Sequence, residues 1–205
     1  MEAILSLGMG YCIGCISPAA WLGKKKNVDL KKEGTKNLGA TNTAIVLGRA
    51  AGIFVMFFDI LKSYLSAKIA RALFPHLVAA GLIACFGVIV GHCYPVTMHF
   101  QGGKGLAAFG GMVLSYRLWF FPAIVFPGLI LMSIFNTGAA MPFLASLMFP
   151  CLIAVTHGSW QEILMAVIAG CFILFMHRDN LKRAKEKNDV VPFSVFLKNT
   201  LFKKK

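Results

Sequence analysis

Charged side chains are scarce in this sequence, and acidic ones are the scarcest. Of the 205 residues only 14% are Asp, Glu, Lys or Arg, and just eight are acidic. A soluble protein of this size needs more charge to cover its surface, so the shortage excludes a soluble globular domain. Hydrophobic residues make up 58% of the chain, and the mean hydropathy is +0.72. Apolar runs near the length of about 20 residues that crosses a bilayer therefore predict an integral membrane protein.

Three familiar catalytic patterns are also missing. No glycine stands five places before Gly103, and Lys104 is followed by glycine instead of Ser or Thr, which excludes a P-loop. No histidine has an aspartate five places on, which excludes the design in which that carboxylate orients a histidine base. His157 does have Glu162 at that distance, but the predicted topology puts the pair on the outer side as a capping turn. The G-x-S-x-G pattern of serine hydrolases is absent.

Basic residues outnumber acidic ones and give a net charge of +13. They lie mainly in two blocks, at 24–36 and 178–205, and each block adjoins an apolar segment. Such blocks mark the cytoplasmic side of a membrane and contact anionic lipid headgroups. They are therefore interpreted as membrane-facing, and no nucleic acid partner is expected.

The apolar runs predict an all-α bundle of about seven transmembrane helices. Residues 1–205 are expected to form one membrane-embedded domain with a basic cytoplasmic tail at 178–205. A bend is expected at Ser17-Pro18, and the boundaries near 116–122 are the weakest. The spans are predicted at 3–23, 43–74, 77–95, 106–120, 121–135, 139–156 and 160–176.

Orientation follows from the distribution of basic residues. An N-terminus outside and seven spans put the polar segments 24–42, 96–105 and 136–138 and the tail on the cytoplasmic side, where positive charge is favoured. Within the tail, Val190–Leu201 is predicted to lie as an interfacial helix. The scattered cysteines are expected to be mostly small buried hydrophobic residues.

Charges within the second predicted span need a partner. Asp59 and Lys62 are three residues apart and so share a helix face, which predicts a structural ion pair facing the bundle interior. The alternative is a substrate path in a small transporter. No internal repeat and no series of charges through several spans supports that alternative.

A glycine-rich stretch, Gly102-Gly103-Lys104-Gly105, lies between two apolar runs. Glycines let backbone N–H groups crowd round a ligand, Lys104 adds a cation, and the helix predicted from Leu106 aims its positive end at the same place. This pattern predicts an anion or phosphate site. The alternative is a flexible loop whose lysine meets lipid headgroups, but the flanking His92, Pro95 and His99 favour a site.

The polar segment from Asn27 to Asn42 carries hydroxyls, amides and glycines. These groups suit either a helix-capping turn or an anion site, and spacing alone favours the cap. The predicted topology brings this segment, the glycine-rich stretch and residues 177–180 to one membrane face. That convergence predicts a single site built from all three.

Three motifs resemble those of the bacterial acyl-phosphate:glycerol-3-phosphate acyltransferases of the PlsY type, in the same order and at similar spacing over essentially the whole chain. The resemblance implies a seven-helix enzyme of the bacterial inner membrane. It would move a fatty acyl group from acyl phosphate to the 1-hydroxyl of glycerol 3-phosphate, making lysophosphatidic acid. The motifs are Gly34-Thr35-Lys36-Asn37-Leu38-Gly39-Ala40-Thr41-Asn42, then Gly91-His92-x-Tyr94-Pro95 with Gly102-Gly103-Lys104-Gly105, then His177-Arg178-x-Asn180-x-x-Arg183.

The motifs suggest roles for particular residues. The groups expected around the reacting atoms are Thr35, Lys104, His177 and Asn180. Those expected to bind substrate are Asn37, Gly39, Thr41, Asn42, His92, Gly102, Gly103 and Gly105. No metal and no cofactor is expected, and the partners are acyl phosphate, glycerol 3-phosphate and the lipid bilayer around a monomer.

The sequence departs from the family pattern at several positions. Thr35-Lys36-Asn37 stands where Ser-Gly-Asn is usual, and the usual arginine falls at Ile45, with Arg49 a turn further on. The closing Gly-x-Glu falls at Lys187-Asn188-Asp189. Loss of an arginine removes a bidentate phosphate contact, so a divergent, inactive or regulatory paralogue is the alternative function.

Overall fold

The computed structural model describes residues 1–186 and 193–194, and within these residues all regular secondary structure is helical. The all-α membrane bundle predicted from the sequence is confirmed. The interfacial helix predicted at Val190–Leu201 lies outside the described residues, apart from Phe193 and Ser194. The helices are α1 (Glu2–Gly14), α2 (Pro18–Lys25), α3 (Ala40–Leu47), α4 (Arg49–Leu73), α5 (Ala80–Cys93), α6 (Leu106–Tyr116), α7 (Phe120–Phe135), α8 (Ala140–Val155), α9 (Trp160–Met176) and α10 (Arg178–Lys185).

Helix length divides the apolar segments into two groups. Among the described residues, three apolar helical segments are long enough to cross a membrane: Glu2–Lys25, Arg49–Leu73 and Ala80–Met98. A fourth qualifies if α9 and α10, which are bent by 58° relative to each other, count as one span. The helices α6, α7 and α8 are apolar but shorter, with 10–17 residues each. All seven predicted runs contain a helix, whereas their crossing as seven spans stays a prediction.

The first apolar run is interrupted at the predicted place. Helix α1 ends at Gly14, and α2 begins at Pro18 with the Ser17 hydroxyl accepting a hydrogen bond from the Ala20 amide at 3.2 Å. Proline has no N–H group, so the Gly14 carbonyl loses the donor that a continuous helix would supply. The Ile16 carbonyl loses its donor as well, because Ala20 is committed to Ser17.

The prediction of one continuous helix over 43–74 is wrong. The chain forms α3 and α4 instead, with Gly48 between them at φ 96° and ψ 163°. This conformation is nearly exclusive to glycine. Gly52 on α4 approaches Ala44 on α3 so closely that a Cβ at Gly52 would lie 2.4 Å from the Ala44 Cβ. The break therefore folds the two helices against each other.

Helix α5 is the centre of the bundle and is buried along most of its length. It packs closely on α1 through glycines: a Cβ at Gly10 would lie 2.0 Å from the Ala84 carbonyl oxygen, and one at Gly87 would lie 2.2 Å from that of Leu7. Small residues allow such approach between membrane helices. Helix α6 approaches α4 in the same way at Gly111, where a Cβ would lie 2.2 Å from the Ile60 carbonyl oxygen. This packing brings the end of α5 next to the charged face of α4.

The cysteines are less buried than expected. Cys15, Cys85 and Cys93 are buried, but the other three are exposed at Cys12, Cys151 and Cys171. A membrane protein presents apolar side chains to lipid tails, so a small hydrophobic residue gains little by facing inward. Mostly buried cysteines were expected because small hydrophobic residues are usually buried in soluble proteins. That rule does not hold for a chain surrounded by lipid.

Candidate active site

The glycine-rich stretch folds back onto the end of α5. After a short 3₁₀ turn at Val96–Met98, His99 and Phe100 adopt left-handed conformations with φ of 54° and 58°. The Gly102 amide then donates to the Cys93 carbonyl and the Gly103 amide to the His92 carbonyl, each at 3.0 Å. These two amides are therefore already bonded. The interpretation of the glycine amides as an open anion cradle was wrong for Gly102 and Gly103.

Free donors remain at the start of α6. Gly105 is the N-cap residue with φ 81°, and the first bond of the helix runs from the Phe109 amide to the Gly105 carbonyl at 2.8 Å. The amides of Leu106, Ala107 and Ala108 precede that bond and have no acceptor within the helix. Together with the helix dipole they form a suitable surface for an anion. The groups of this stretch that could contact an anion therefore begin at Lys104.

Two cations meet at the start of α6. The Lys104 ammonium donates to the Asn180 side-chain carbonyl, and the Arg183 guanidinium donates to the same oxygen at 3.0 Å. Within the described part of the chain, neither cation forms an ion pair with a carboxylate. Burial lowers the pKa of the half-buried Lys104, and the positive charge of Arg183 lowers it further. Two cations that share a neutral acceptor have charge left for a dianion.

His177 lies at the junction of α9 and α10, just beyond the predicted span. Its side chain is buried, with 5% of the residue exposed, and Nδ1 lies 2.9 Å from the Ile173 carbonyl. Burial lowers the pKa of His177 to about 4, and the nearby charge of Lys104 acts in the same direction. The imidazole is therefore neutral at pH 7. Because a carbonyl oxygen only accepts, Nδ1 carries the proton, and Nε2 is left as an acceptor.

Asn42 has a different role from the one predicted. Its side chain accepts from the Thr35 amide at 2.6 Å and donates to the Leu30 carbonyl at 2.8 Å, and the residue is fully buried. Asn42 therefore braces the preceding loop and does not face a ligand. Gly39 is the N-cap residue of α3, so the segment does contain the turn that precedes a helix, but no side chain makes a capping bond there.

The other predicted residues of the first motif keep accessible side chains or backbone. Thr35, Asn37 and Gly39 are half-buried, and Thr41 is exposed. This segment is connected to the turn after α5 by Lys31, whose ammonium donates to the Met98 carbonyl at 3.2 Å. Over residues 1–186 no hydrogen bond joins 35–42 to Lys104 or Asn180. The structure thus joins the second and third motifs directly and places the first beside the turn at Met98.

His92 belongs to a buried charged group. The predicted ion pair is confirmed, with Lys62 Nζ 2.8 Å from Asp59 Oδ1. His92 Nδ1 lies 3.3 Å from the same Asp59 oxygen and 3.2 Å from Lys62 Nζ. His92 Nδ1 is engaged by this charged group and Nε2 lies against the Gly103 backbone, so neither ring nitrogen is left for the substrate contact that was predicted. The ion pair and His92 were predicted as separate features, and their positions in the chain did not indicate that they meet.

Arg183 was missed as a site residue. It stands in the third motif, three places after Asn180, and such spacing puts both side chains on one face of α10. That spacing was the signal that could have identified Arg183. It applies only because the chain begins a new helix after Met176.

Known proteins of similar sequence belong to one family. A family model described as glycerol-3-phosphate acyltransferase matches residues 4–187. The chain is 30% identical over 203 residues to the glycerol-3-phosphate acyltransferase of Latilactobacillus sakei, with 96% of each chain covered. It is 32% identical over 190 residues to that of Lactiplantibacillus plantarum, covering 90% of this chain and 89% of the relative.

Two solved structures also resemble this chain. Both are of PlsY, described as an integral membrane glycerol 3-phosphate acyltransferase, and both are 27% identical to it. The glycerol 3-phosphate form has a TM-score of 0.80 and covers 92% of this chain and 94% of its own. The lysophosphatidic acid form has a TM-score of 0.81, with 96% and 99% covered. The similarity thus extends from the three motifs to the whole fold.

Proposed function

Because the chain belongs to the glycerol-3-phosphate acyltransferase family, we propose that it transfers a fatty acyl group from acyl phosphate to the 1-hydroxyl of glycerol 3-phosphate. The product is lysophosphatidic acid, a precursor of membrane phospholipids. One observation carries the proposal. Lys104 and Arg183 share the Asn180 oxygen at the N-terminus of α6, which leaves a positive site suited to a phosphate.

The phosphate of glycerol 3-phosphate binds to Lys104, Arg183 and the first amides of α6, with Gly105 allowing close approach. Charge-assisted hydrogen bonds of this kind contribute roughly 1.5–3 kcal/mol each. Thr35, Asn37, Gly39 and Thr41 are the groups we assign to the remaining contacts with the two substrates. They come from the segment held beside the Met98 turn by Lys31.

The chemistry needs alignment more than a strong base. The 1-oxygen of glycerol 3-phosphate attacks the acyl carbon, the bond from that carbon to the phosphate oxygen breaks, and inorganic phosphate leaves. The hydroxyl proton passes to a phosphate oxygen. Lys104 offsets negative charge on the transferring group, and Asn180 fixes the direction of Lys104. Neutral His177 offers Nε2 as an acceptor for a substrate hydroxyl other than the attacking one, which helps to orient glycerol 3-phosphate.

We assign the site to the cytoplasmic face of the bacterial inner membrane, with the N-terminus outside and the chain acting as a monomer. The basic residues around 24–36 and in the tail support this orientation, since positive charge favours the cytoplasmic side. Single cysteines at the exposed residue 32 and at residue 200 in a cysteine-free variant test it. Both should react with an impermeant thiol reagent only after the cells are opened.

The activity is tested by incubating the purified protein with acyl phosphate and glycerol 3-phosphate and measuring lysophosphatidic acid. Lys104→Ala is the negative control, and Lys68→Met is a matched control because Lys68 is exposed on α4. Product from the wild type and Lys68→Met, with far less from Lys104→Ala, supports the proposal. A wild-type protein that folds and makes no product would favour the divergent paralogue.

A further inference from the structure

Asp59, Lys62 and His92 form a buried triad where α4, α5 and the break after α1 meet. All three are at most 6% exposed, and their charged or ring atoms lie within 3.3 Å of one another. Buried charges in a membrane helix are costly and are retained when they have a function or a partner. The proposed reaction uses none of the three directly, so their role needs its own account.

The donors of the triad can be counted. The Lys62 ammonium has three N–H groups, and three acceptors lie at hydrogen-bond geometry: the Ile16 carbonyl at 2.9 Å, the Gly14 carbonyl at 3.2 Å and His92 Nδ1 at 3.2 Å. Asp59 Oδ1 lies 2.8 Å from the ammonium and 3.3 Å from His92 Nδ1 but has no hydrogen-bond partner among the described residues, so it acts through its charge. Because an ammonium only donates, His92 Nδ1 accepts from Lys62 and Nε2 carries the proton. The imidazole is thereby held in one orientation by the ion pair.

The opposite edge of the ring contacts the glycine-rich stretch. A Cβ at Gly103 would lie 2.0 Å from His92 Nε2, which means that the Gly103 backbone rests against the ring. The Gly103 amide also donates to the His92 carbonyl at 3.0 Å. Lys104 follows immediately. The position of the ring thus determines how far the backbone at 103 and 104 can move towards α5.

We propose that Asp59, Lys62 and His92 are positioning residues. They hold the Lys104 ammonium at the place where the phosphate of glycerol 3-phosphate binds. The inference rests on the proposed function. It adds to the residues that serve the site three that are buried and do not touch the substrate. The ion pair fixes the ring, the ring supports Gly103, and Gly103 carries Lys104 to Asn180. A purely structural role is the alternative, in which Lys62 only serves the carbonyls exposed at the Pro18 break.

A double-mutant cycle separates the two roles. His92→Asn keeps a side-chain acceptor for Lys62 but removes the ring edge that meets Gly103. We expect kcat/KM for glycerol 3-phosphate to fall about 10- to 100-fold, as small misplacements in catalytic sites do. In a Lys104→Ala background the same substitution should add less than about threefold, because its effect passes through Lys104. Equal losses in both backgrounds, or no loss in either, would overturn the proposal.

Lys62→Met tests the ion pair, and Lys68→Met on the same helix is its matched control. Loss of the pair should both raise KM for glycerol 3-phosphate and lower kcat. The control should match the wild type in both constants. Thermal unfolding in detergent identifies a variant that has merely lost the fold. If Lys62→Met unfolds, the double variant Asp59→Asn with Lys62→Met, which leaves no buried charge, replaces it.

Hydrogen exchange tests the positioning role without an activity assay. In His92→Asn the amides of Gly102 and Gly103 should exchange at least about tenfold faster, because the support for their hydrogen bonds is lost. Amides at 19–22 should be unchanged. Faster exchange at 19–22 alone would mean that the triad serves only the helix break. Inactive wild-type protein would refute the proposed reaction, whereas unchanged exchange at 102–103 would refute the positioning role.

Discussion

Lys104 and Asn180 are 76 positions apart in the chain and are joined by a hydrogen bond between their side chains. The bond connects the loop after α5 to the helix after α9. Since Asn180 also accepts from Arg183, it holds two positive groups side by side without neutralising either. The electrostatic character of the site therefore depends on an amide at position 180 and on cations at 104 and 183.

Lys104→Ala should weaken glycerol 3-phosphate binding by about ten- to a hundredfold, the equivalent of one charge-assisted contact of roughly 1.5–3 kcal/mol. The loss in kcat should be larger, because the same cation offsets charge in the transition state. Steady-state kinetics on Lys104→Ala and Lys104→Arg, each first shown to be folded, measure both effects. Kinetics in the alanine variant close to those of the wild type would refute the phosphate site.

Asn180→Asp is a sharper test than removal of the side chain. A carboxylate would pair with Lys104 and Arg183 and compete with the substrate phosphate for both. KM for glycerol 3-phosphate should therefore rise more in Asn180→Asp than in Asn180→Ala, by about tenfold or more. A lower KM in the aspartate variant than in the alanine variant would mean that the two cations do not bind the phosphate.

His177 should make the stability of the fold depend on pH. Its pKa in the folded protein is lowered to about 4 by burial, below the value near 6.5 of an unperturbed histidine. The folded state then binds fewer protons than the unfolded state between these two values. Stability should fall as the pH drops from about 6.5 to about 4, by roughly 3 kcal/mol in total, and His177 should contribute no pH dependence above about 6.5. Unfolding of the wild type and His177→Asn, measured from pH 4 to 8, checks this. An equal slope in the two proteins would contradict it.

Gly48→Ala should destabilise the protein by roughly 1–3 kcal/mol, because an alanine at φ 96° and ψ 163° is strained. The space around Gly48 is open, so strain in the backbone is the only cost. Gly8→Ala is the matched control: that site is also open but lies within α1, where alanine is favoured. The comparison is made by unfolding in detergent. Equal stability of both variants would indicate that the Gly48 conformation is not required.

The positions of most helices could be predicted because an apolar run in a membrane has few alternatives to helix. The break at Gly48 could not, because glycine within an apolar run is tolerated in membrane helices and carries no signal of its own conformation. The functions of Asn42 and of the Gly102 and Gly103 amides depended on partners outside their motifs. Hydrogen-bond partners such as Leu30 and Cys93 follow from packing, which residue spacing does not reveal.

Only part of the candidate site could be predicted from the sequence. Order along the chain was enough to suggest that the segments around Lys104 and Asn180 share one face, and their hydrogen bond agrees with that suggestion. The link from His92 to Asp59 and Lys62 required the packing of α5 on α4, because these residues lie in different helices. Spacing within a single helix could identify the ion pair and could not identify its third member.

The Pro18 interruption has a consequence for the biogenesis of the protein. Two carbonyls at that point, on Gly14 and Ile16, obtain their donors from Lys62. During synthesis the first apolar segment is made well before Lys62 reaches the membrane, and until then these carbonyls have neither a helical partner nor the lysine. The first segment and α4 must therefore associate early, while water or the insertion machinery still reaches the break. A chain truncated before α4 should leave its first segment poorly inserted, although that segment is long and apolar enough to span the bilayer.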